Sequence, residues 1–146
     1  MINRSKSTLF LIEQLIVIAV FAICAAACIS ILTNAFFMAR DSRDISNALL
    51  VGESVAESFK AASGDFDRAA QLSGASTVRI DGTEAIIMFF DSHWQVSTES
   101  EAEYVLHLKP DNHSTQNPNL LTTSLTVTRI SGDNLITFPL AVRINN

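Results

Sequence analysis

Three histidines are the first side chains in this sequence that could bind a metal ion. His93, His107 and His113 stand apart from one another and show none of the close pairing that zinc ligands adopt. The strand-like segments around His93 and His107 predict that both imidazoles lie on strands, at positions that face water. We therefore interpret the histidines as surface or hydrogen-bonded side chains and not as a metal centre.

A short acidic run offers the alternative of a calcium site. Glu99, Glu101 and Glu103 alternate at the entrance to a predicted strand, and Asp91 or Asp111 could add further oxygen ligands. The same run fits a solvated strand edge, where charges discourage pairing with other strands. We favour the solvated edge, and the sequence thus predicts no metal and no cofactor.

Catalytic signatures are not found in the sequence. Cys24 and Cys28 stand four residues apart inside an apolar run, where we interpret them as small packing residues and not as nucleophiles. The chain has no Gly-x-Ser-x-Gly, no phosphate-binding glycine loop and no His-Glu-x-x-His motif. We expect a protein that is not an enzyme.

The apolar run itself is the strongest feature of the chain. Of 146 residues 48% are hydrophobic, the mean hydropathy is +0.28, and every residue from Leu15 to Ile29 is apolar. With Ser30 included, the run continues to Leu32 and approaches the length that a helix needs to cross a bilayer. This pattern excludes an ordinary cytosolic globular protein and predicts a membrane-spanning helix.

Charges around the run predict its orientation and its partners. Arg4 and Lys6 precede the run, which indicates a cytoplasmic N-terminus and a domain on the outer side of the membrane. From Met38 to Asn146 eight basic residues stand against fourteen acidic ones, a net charge of −6. A surface with this excess of acidic residues is unsuited to binding the phosphate backbone of a nucleic acid, so we predict no nucleic-acid partner.

Glu13 is the one acidic residue near the start of this apolar helix. Burial of a carboxylate in lipid is costly, which makes Glu13 a candidate functional residue. Alternatively, Glu13 extends toward water or pairs with Lys6. Two other interpretations of the segment stay open. It could be a single-pass membrane anchor, or a secretory signal peptide cleaved at the small residues Ala25–Ala27.

The N-terminal segment resembles a known protein family. Residues 5–20 read SKSTLFLIEQLIVIAV, which is similar to the N-terminal signature of type IV pilins and type II secretion pseudopilins. The resemblance implies a basic leader, cleavage by a prepilin peptidase near Ser7, Thr8 and Leu9, and a role for Glu13 in filament assembly. Glu13 would be the fifth mature residue after cleavage before Leu9 and the sixth after cleavage before Thr8. The family's glycine before the cleavage point is absent, since the first glycine is Gly52.

The remaining sequence predicts an α+β layout, which the resemblance also implies. We predict a leader at 1–8, a transmembrane helix at 9–37 and an extracytoplasmic head at 38–146. The head would comprise an amphipathic helix at 38–62, a connecting segment at 63–84 and an antiparallel sheet at 85–146, with Pro139 at an edge or a bulge. We expect the amphipathic helix to stop at Ser63–Gly64 and a short helix capped by Asp65 to follow. Asp44 is expected off the apolar stripe of the amphipathic helix. Phe89, Phe90 and Trp94 are expected to pack against that helix.

Together these features predict a minor pilin or pseudopilin of a type IV pilus-like, competence-like or type II secretion-like filament. Expected partners are other pilin or pseudopilin subunits, the prepilin peptidase and an assembly platform protein, at the cytoplasmic membrane. The alternative is a single-pass envelope protein that never polymerises and whose outer domain binds a partner. A third, less favoured alternative is a domain released by signal peptidase.

Overall fold

The computed structural model describes residues 3–80, 82–111 and 119–144, with residues 3–7 and 80 described by their backbone alone. The chain forms a long N-terminal helix followed by an antiparallel sheet, which confirms the predicted α+β layout. The elements in chain order are α1 (Asn3–Ala61), α2 (Phe66–Ser73), β1 (Ser76–Ile80), β2 (Thr83–Phe90), a 3₁₀ turn (Glu99–Glu101), β3 (Tyr104–Pro110), β4 (Leu120–Arg129) and β5 (Asn134–Arg143).

The chain divides into two compact units, Met1–Ser42 and Arg43–Asn146, and helix α1 contributes residues to both. We call the apolar part of the first unit, Leu9–Met38, the stem, and the second unit the head. Among the described residues, one helix is long and apolar enough to cross a membrane, and it includes the stem. Within it the hydroxyls of Ser30 and Thr33 donate to the carbonyls of Ala26 and Ile29, so these polar side chains do not need water.

The head is a two-layer unit, with the second part of α1 packed on a five-stranded sheet. The strands follow the chain order β1-β2-β3-β4-β5, and all neighbours are antiparallel. Cross-strand pairs such as Leu106–Val127 and Leu108–Leu125 point their fully buried side chains to the helix side. The helix contributes a buried stripe of Ala48, Val55, Ala56 and Phe59, and Ala62 continues it just beyond the helix end.

Gly52 lets the helix approach the sheet closely. A Cβ at this position would lie 3.3 Å from side-chain atoms of Leu125, Ile136 and Phe138, which is already tight packing. The glycine is therefore a packing requirement of the helix–sheet contact and not a break in the helix.

The predicted helix ends are close to the observed ones. Helix α1 ends at Ala61, and Ser63 and Gly64 follow with φ of 56° and 87°. The Gly64 N–H donates to the Phe59 carbonyl at 3.2 Å, which reverses the chain as predicted for this dipeptide. Helix α2 begins where Asp65 accepts from the Arg68 N–H at 3.0 Å, so the predicted cap is confirmed.

Strand β1 lies inside the segment that the sequence led us to treat as a connection. The Ser76–Ile80 segment pairs antiparallel with β2, and Ile80 stands opposite Thr83 across a two-residue connection that contains Gly82 with φ of 80°. This is the geometry of a β-hairpin. Asp81, the other residue of that connection, lies outside the described residues.

Two further expectations about the sheet can be compared with the structure. Strand β5 is the last strand of the sheet, so Pro139 lies on an edge strand as predicted. The register shift in the β4–β5 pairing lies between Val127 and Thr128, so it is not at Pro139. Most of the predicted 111–119 loop lies outside the described residues.

Candidate functional site

The stem exposes a continuous apolar surface. Its large hydrophobic side chains are between 52% and 75% exposed, far more than a water-soluble unit shows over a contiguous surface. Because burial of such side chains is favourable, this surface is suited to lipid or to other apolar helices. The exposed residues are Leu9, Phe10, Leu11, Ile12, Leu15, Ile16, Val17, Ile18, Val20, Phe21, Ile23, Ile29, Ile31, Leu32, Phe36, Phe37 and Met38.

Glu13 is an exposed acidic residue on the otherwise apolar surface of the stem. Ile16, Val17 and Val20 follow it at helical spacings of three, four and seven residues, so the four side chains share one face of α1. Any surface that covers this face, whether lipid or protein, must accommodate a carboxylate. A basic group on that covering surface would offset the cost of burying the Glu13 carboxylate.

The predicted processing residues lie at the beginning of the same helix. The backbone of Ser7, Thr8 and Leu9 is helical, less than two turns before Glu13. The side chains of Thr8 and Leu9 are exposed. The structure thus brings the predicted processing residues and the predicted assembly residue together near one end of the helix.

The two cysteines are exposed free thiols of the stem. Because both side chains are exposed among the described residues, their role as packing residues stays a prediction about what surrounds the stem. Cys24 and Cys28 stand one helical turn apart and continue the face that carries Glu13.

The described part of the head contains a buried charge cluster that was not predicted from the sequence. Asp44 was expected off the apolar stripe, but it is only 5% exposed and lies on the buried face of α1, four residues before Ala48. Its Oδ2 is 2.6 Å from a guanidinium nitrogen of Arg129 at the end of β4. Burial raises the pKa of the Tyr104 phenol, and interaction with the Asp44 carboxylate raises it further.

The side chain of Trp94 stacks on this cluster. Its ring centroid is 4.1 Å from that of Tyr104, with 19° between the ring planes, and 6.0 Å from that of Phe90. Trp94 is partly buried and packs against the hydrophobic core to which the α1 residues Ala48, Val55 and Phe59 belong. Phe90 is buried at 3% exposure as expected, whereas Phe89 lies on the opposite face of β2 and is half-buried.

The histidines and acidic residues are dispersed. No group of three potential metal ligands occurs among the described residues. His93 lies in an exposed turn and not on a strand, because the chain reverses between Asp91 and Gln95. His107 lies on β3, half-buried, and burial lowers the pKa of its imidazole. His113 falls outside the described residues.

Asp91, Glu99 and Glu101 lie in turns of the head. Glu99 and Glu101 are exposed on the 3₁₀ turn that precedes β3. The Asp91 carboxylate accepts from the N–H groups of His93 and Gln95 at 2.8 and 2.9 Å, and these bonds lower its pKa. Asp91 therefore holds a turn and is not arranged with the glutamates as a calcium site.

Comparisons of the whole chain with protein-family models, with curated proteins and with solved structures give no match. The stem, Glu13 and the architecture of the head are consequently the features from which a function can be inferred.

Proposed function

We propose that this protein is a minor pilin or pseudopilin, a subunit of a filament of the type IV pilus, competence or type II secretion kind. One observation carries the proposal: an exposed apolar helical stem with a single carboxylate near its start continues, in the same helix, into an α+β head. The resemblance of residues 5–20 to the pilin signature supports it.

The stem would act in two surroundings. Before assembly it spans the cytoplasmic membrane, with Arg4 and Lys6 on the cytoplasmic side and the head outside. During assembly a platform protein and a motor ATPase, both separate chains, would extract it so that its apolar surface packs against other stems. The large hydrophobic side chains that contact lipid are then covered by protein instead.

Glu13 would set the position of one stem against the next. A carboxylate in an apolar helix bundle is stabilised by a basic partner, and the pairing offsets the cost of burying both charges. After cleavage by a prepilin peptidase near Ser7, Thr8 or Leu9, the new N-terminal amine of a neighbouring subunit would supply that partner. In an uncleaved chain Arg4 or Lys6 would do so.

The proposal is tested by removing the charge of Glu13 in the cells that make the protein. Glu13→Gln keeps the shape of the side chain but removes its charge, so we expect normal membrane insertion and a strong loss of the tagged protein from sheared filaments. Gln14→Ala alters the next residue, which lies on another face, and serves as the matched control. Equal incorporation of Glu13→Gln, Gln14→Ala and the wild type would contradict the assembly role.

The mature N-terminus gives a second, independent test. Intact mass and N-terminal sequencing of the membrane-associated protein should show a start at Thr8 or Leu9 that is lost without the prepilin peptidase. A start inside the apolar run would instead indicate a secreted domain and would contradict the role of Glu13. A full-length chain that never enters filaments would indicate a single-pass envelope protein with a binding domain.

A further inference from the structure

The backbone of Trp94 adopts a conformation that tryptophan rarely takes. The chain reverses between Asp91 and Gln95, with the Trp94 N–H donating to the Asp91 carbonyl at 3.0 Å and the Asp91 N–H donating to the Gln95 carbonyl at 3.0 Å. Trp94 closes this turn with φ of 60°, in the left-handed region where glycine or asparagine is favoured. A large aromatic residue at this position is strained.

The indole ring of Trp94 adds a second unfavourable feature. Its Nε1–H is shielded from solvent and has no hydrogen-bond partner among the described residues. An unsatisfied buried donor destabilises the position that it occupies. The strain and the unsatisfied donor both oppose the observed placement of this side chain.

Aromatic stacking holds Trp94 in place against these two costs. The ring lies nearly parallel to that of Tyr104 at 4.1 Å and also contacts the buried Phe90. Since Tyr104 is only 1% exposed and belongs to the buried core, the ring on which the indole stacks is enclosed by its neighbours. The indole is thus the movable partner of the stack.

The Asp91 carboxylate fixes the turn that carries the indole. Through its bonds to the N–H groups of His93 and Gln95 it stabilises the backbone on both sides of Trp94. The next residue, Val96, pairs with Phe90 in an isolated bridge but leaves its side chain 65% exposed. Residue 94 stands two positions before this exposed valine, so the two side chains point to the same side wherever the backbone between them is extended.

We propose that Trp94 is a releasable side chain, in exchange between the stacked position and an exposed position next to Val96. Release relaxes the backbone of residue 94 out of the left-handed region and lets the indole N–H bond water. Release therefore exposes apolar surface of the indole that the stacked position covers. The device is independent of whether the stem enters a filament.

The fluorescence of the protein reports this exchange directly, because Trp94 is the single tryptophan of the chain. Full-length protein in detergent micelles should show two fluorescence lifetimes, of which the minor one is quenched readily by acrylamide. Its amplitude should rise with temperature well below the unfolding transition seen by far-UV circular dichroism. A single shielded lifetime that persists up to unfolding would overturn the proposal.

Variants of the turn distinguish release from general loosening of the head. Asp91→Ala removes both bonds to the turn, and we expect at least a twofold larger exposed amplitude with an unchanged dichroism spectrum. Asp91→Asn keeps an acceptor oxygen and should behave like the wild type. Tyr104→Phe keeps the stacked ring and should also leave the amplitude unchanged. Equal amplitudes in Asp91→Ala and Asp91→Asn would show that the turn does not control Trp94.

Discussion

The carboxylate of Asp44 in helix α1 lies 2.6 Å from the guanidinium of Arg129 at the end of strand β4, across 85 residues of sequence. Both groups are largely removed from solvent, with side-chain exposures of 7% and 19%. Such a pair fixes the position of the helix along the sheet, because a shift of one helical turn would leave a buried charge without its partner. Arg129 also lies 3.7 Å from Asp133, an exposed residue of the following turn.

Loss of Arg129 should destabilise the head strongly. Arg129→Met leaves the Asp44 carboxylate buried without its cation, and we expect a loss of about 3 kcal/mol in the free energy of unfolding. The double variant Asp44→Leu/Arg129→Met removes both charges and should recover much of that loss. Thermal unfolding of the full chain in micelles, followed by circular dichroism, measures both effects.

Arg143→Met is the matched control for this comparison, since Arg143 is an exposed arginine of β5. It should change the unfolding temperature little, as is usual for surface charges. If Arg129→Met were as stable as Arg143→Met, the Asp44–Arg129 pair would have no part in holding the helix on the sheet.

The elements with strong periodicity were predictable from sequence, and the exceptions have physical reasons. Helix α1, the cap at Asp65 and the turn at Ser63–Gly64 each follow from local residue chemistry. Strand β1 was missed because it is short and on the sheet edge, where its alternation between polar and β-branched residues is weak. Its Ser-Thr-Val-Arg-Ile pattern before Gly82 was nevertheless a usable hairpin signal.

The charge cluster of the head could not be predicted in the same way. The pairing of Asp44 with Arg129 depends on contacts between distant segments, and no local rule matches an aspartate to one of several arginines. One signal did exist, since Asp44 stands four residues before the buried Ala48 on the same helix face. An acid at an apolar-stripe position predicts a buried partner, even when the partner is unknown.

His107 should make the stability of the head depend on pH. Burial lowers the pKa of the folded imidazole below its usual value of 6.5, with a smaller effect from Lys109. Below pH 6.5 the unfolded chain therefore binds a proton that the folded chain does not, so stability falls as the pH drops from 6.5 toward the folded pKa. Above pH 6.5 this contribution is constant.

Thermal unfolding at pH 7.5 and pH 5.0 measures this effect. The wild type should lose more stability between these two values than His107→Gln, which cannot titrate. His93→Gln removes an exposed histidine of the 91–95 turn and should retain the pH dependence of the wild type. An equal loss of stability between pH 7.5 and pH 5.0 in His107→Gln and in the wild type would show that another group causes the pH dependence.

Pro139 should protect the open edge of the sheet from pairing with other strands. The Ile144 N–H donates to the Asn119 carbonyl at 2.9 Å, on the β4 side of β5. Because the N–H and C=O of successive strand residues point alternately to the two sides, position 139 points away from β4. The missing N–H of the proline is therefore on the open edge, where a further strand would need it.

Replacing Pro139 should consequently promote self-association through β5. Pro139→Thr supplies an outward N–H on a β-branched residue, and we expect a concentration-dependent increase in dimers and larger species in micelles. Light scattering after size-exclusion chromatography measures the mass distribution. Ala141→Thr introduces the same side chain two residues away without adding a donor, so it should remain like the wild type. If Pro139→Thr kept the wild-type mass distribution at every concentration, the edge would be protected by a feature other than the proline.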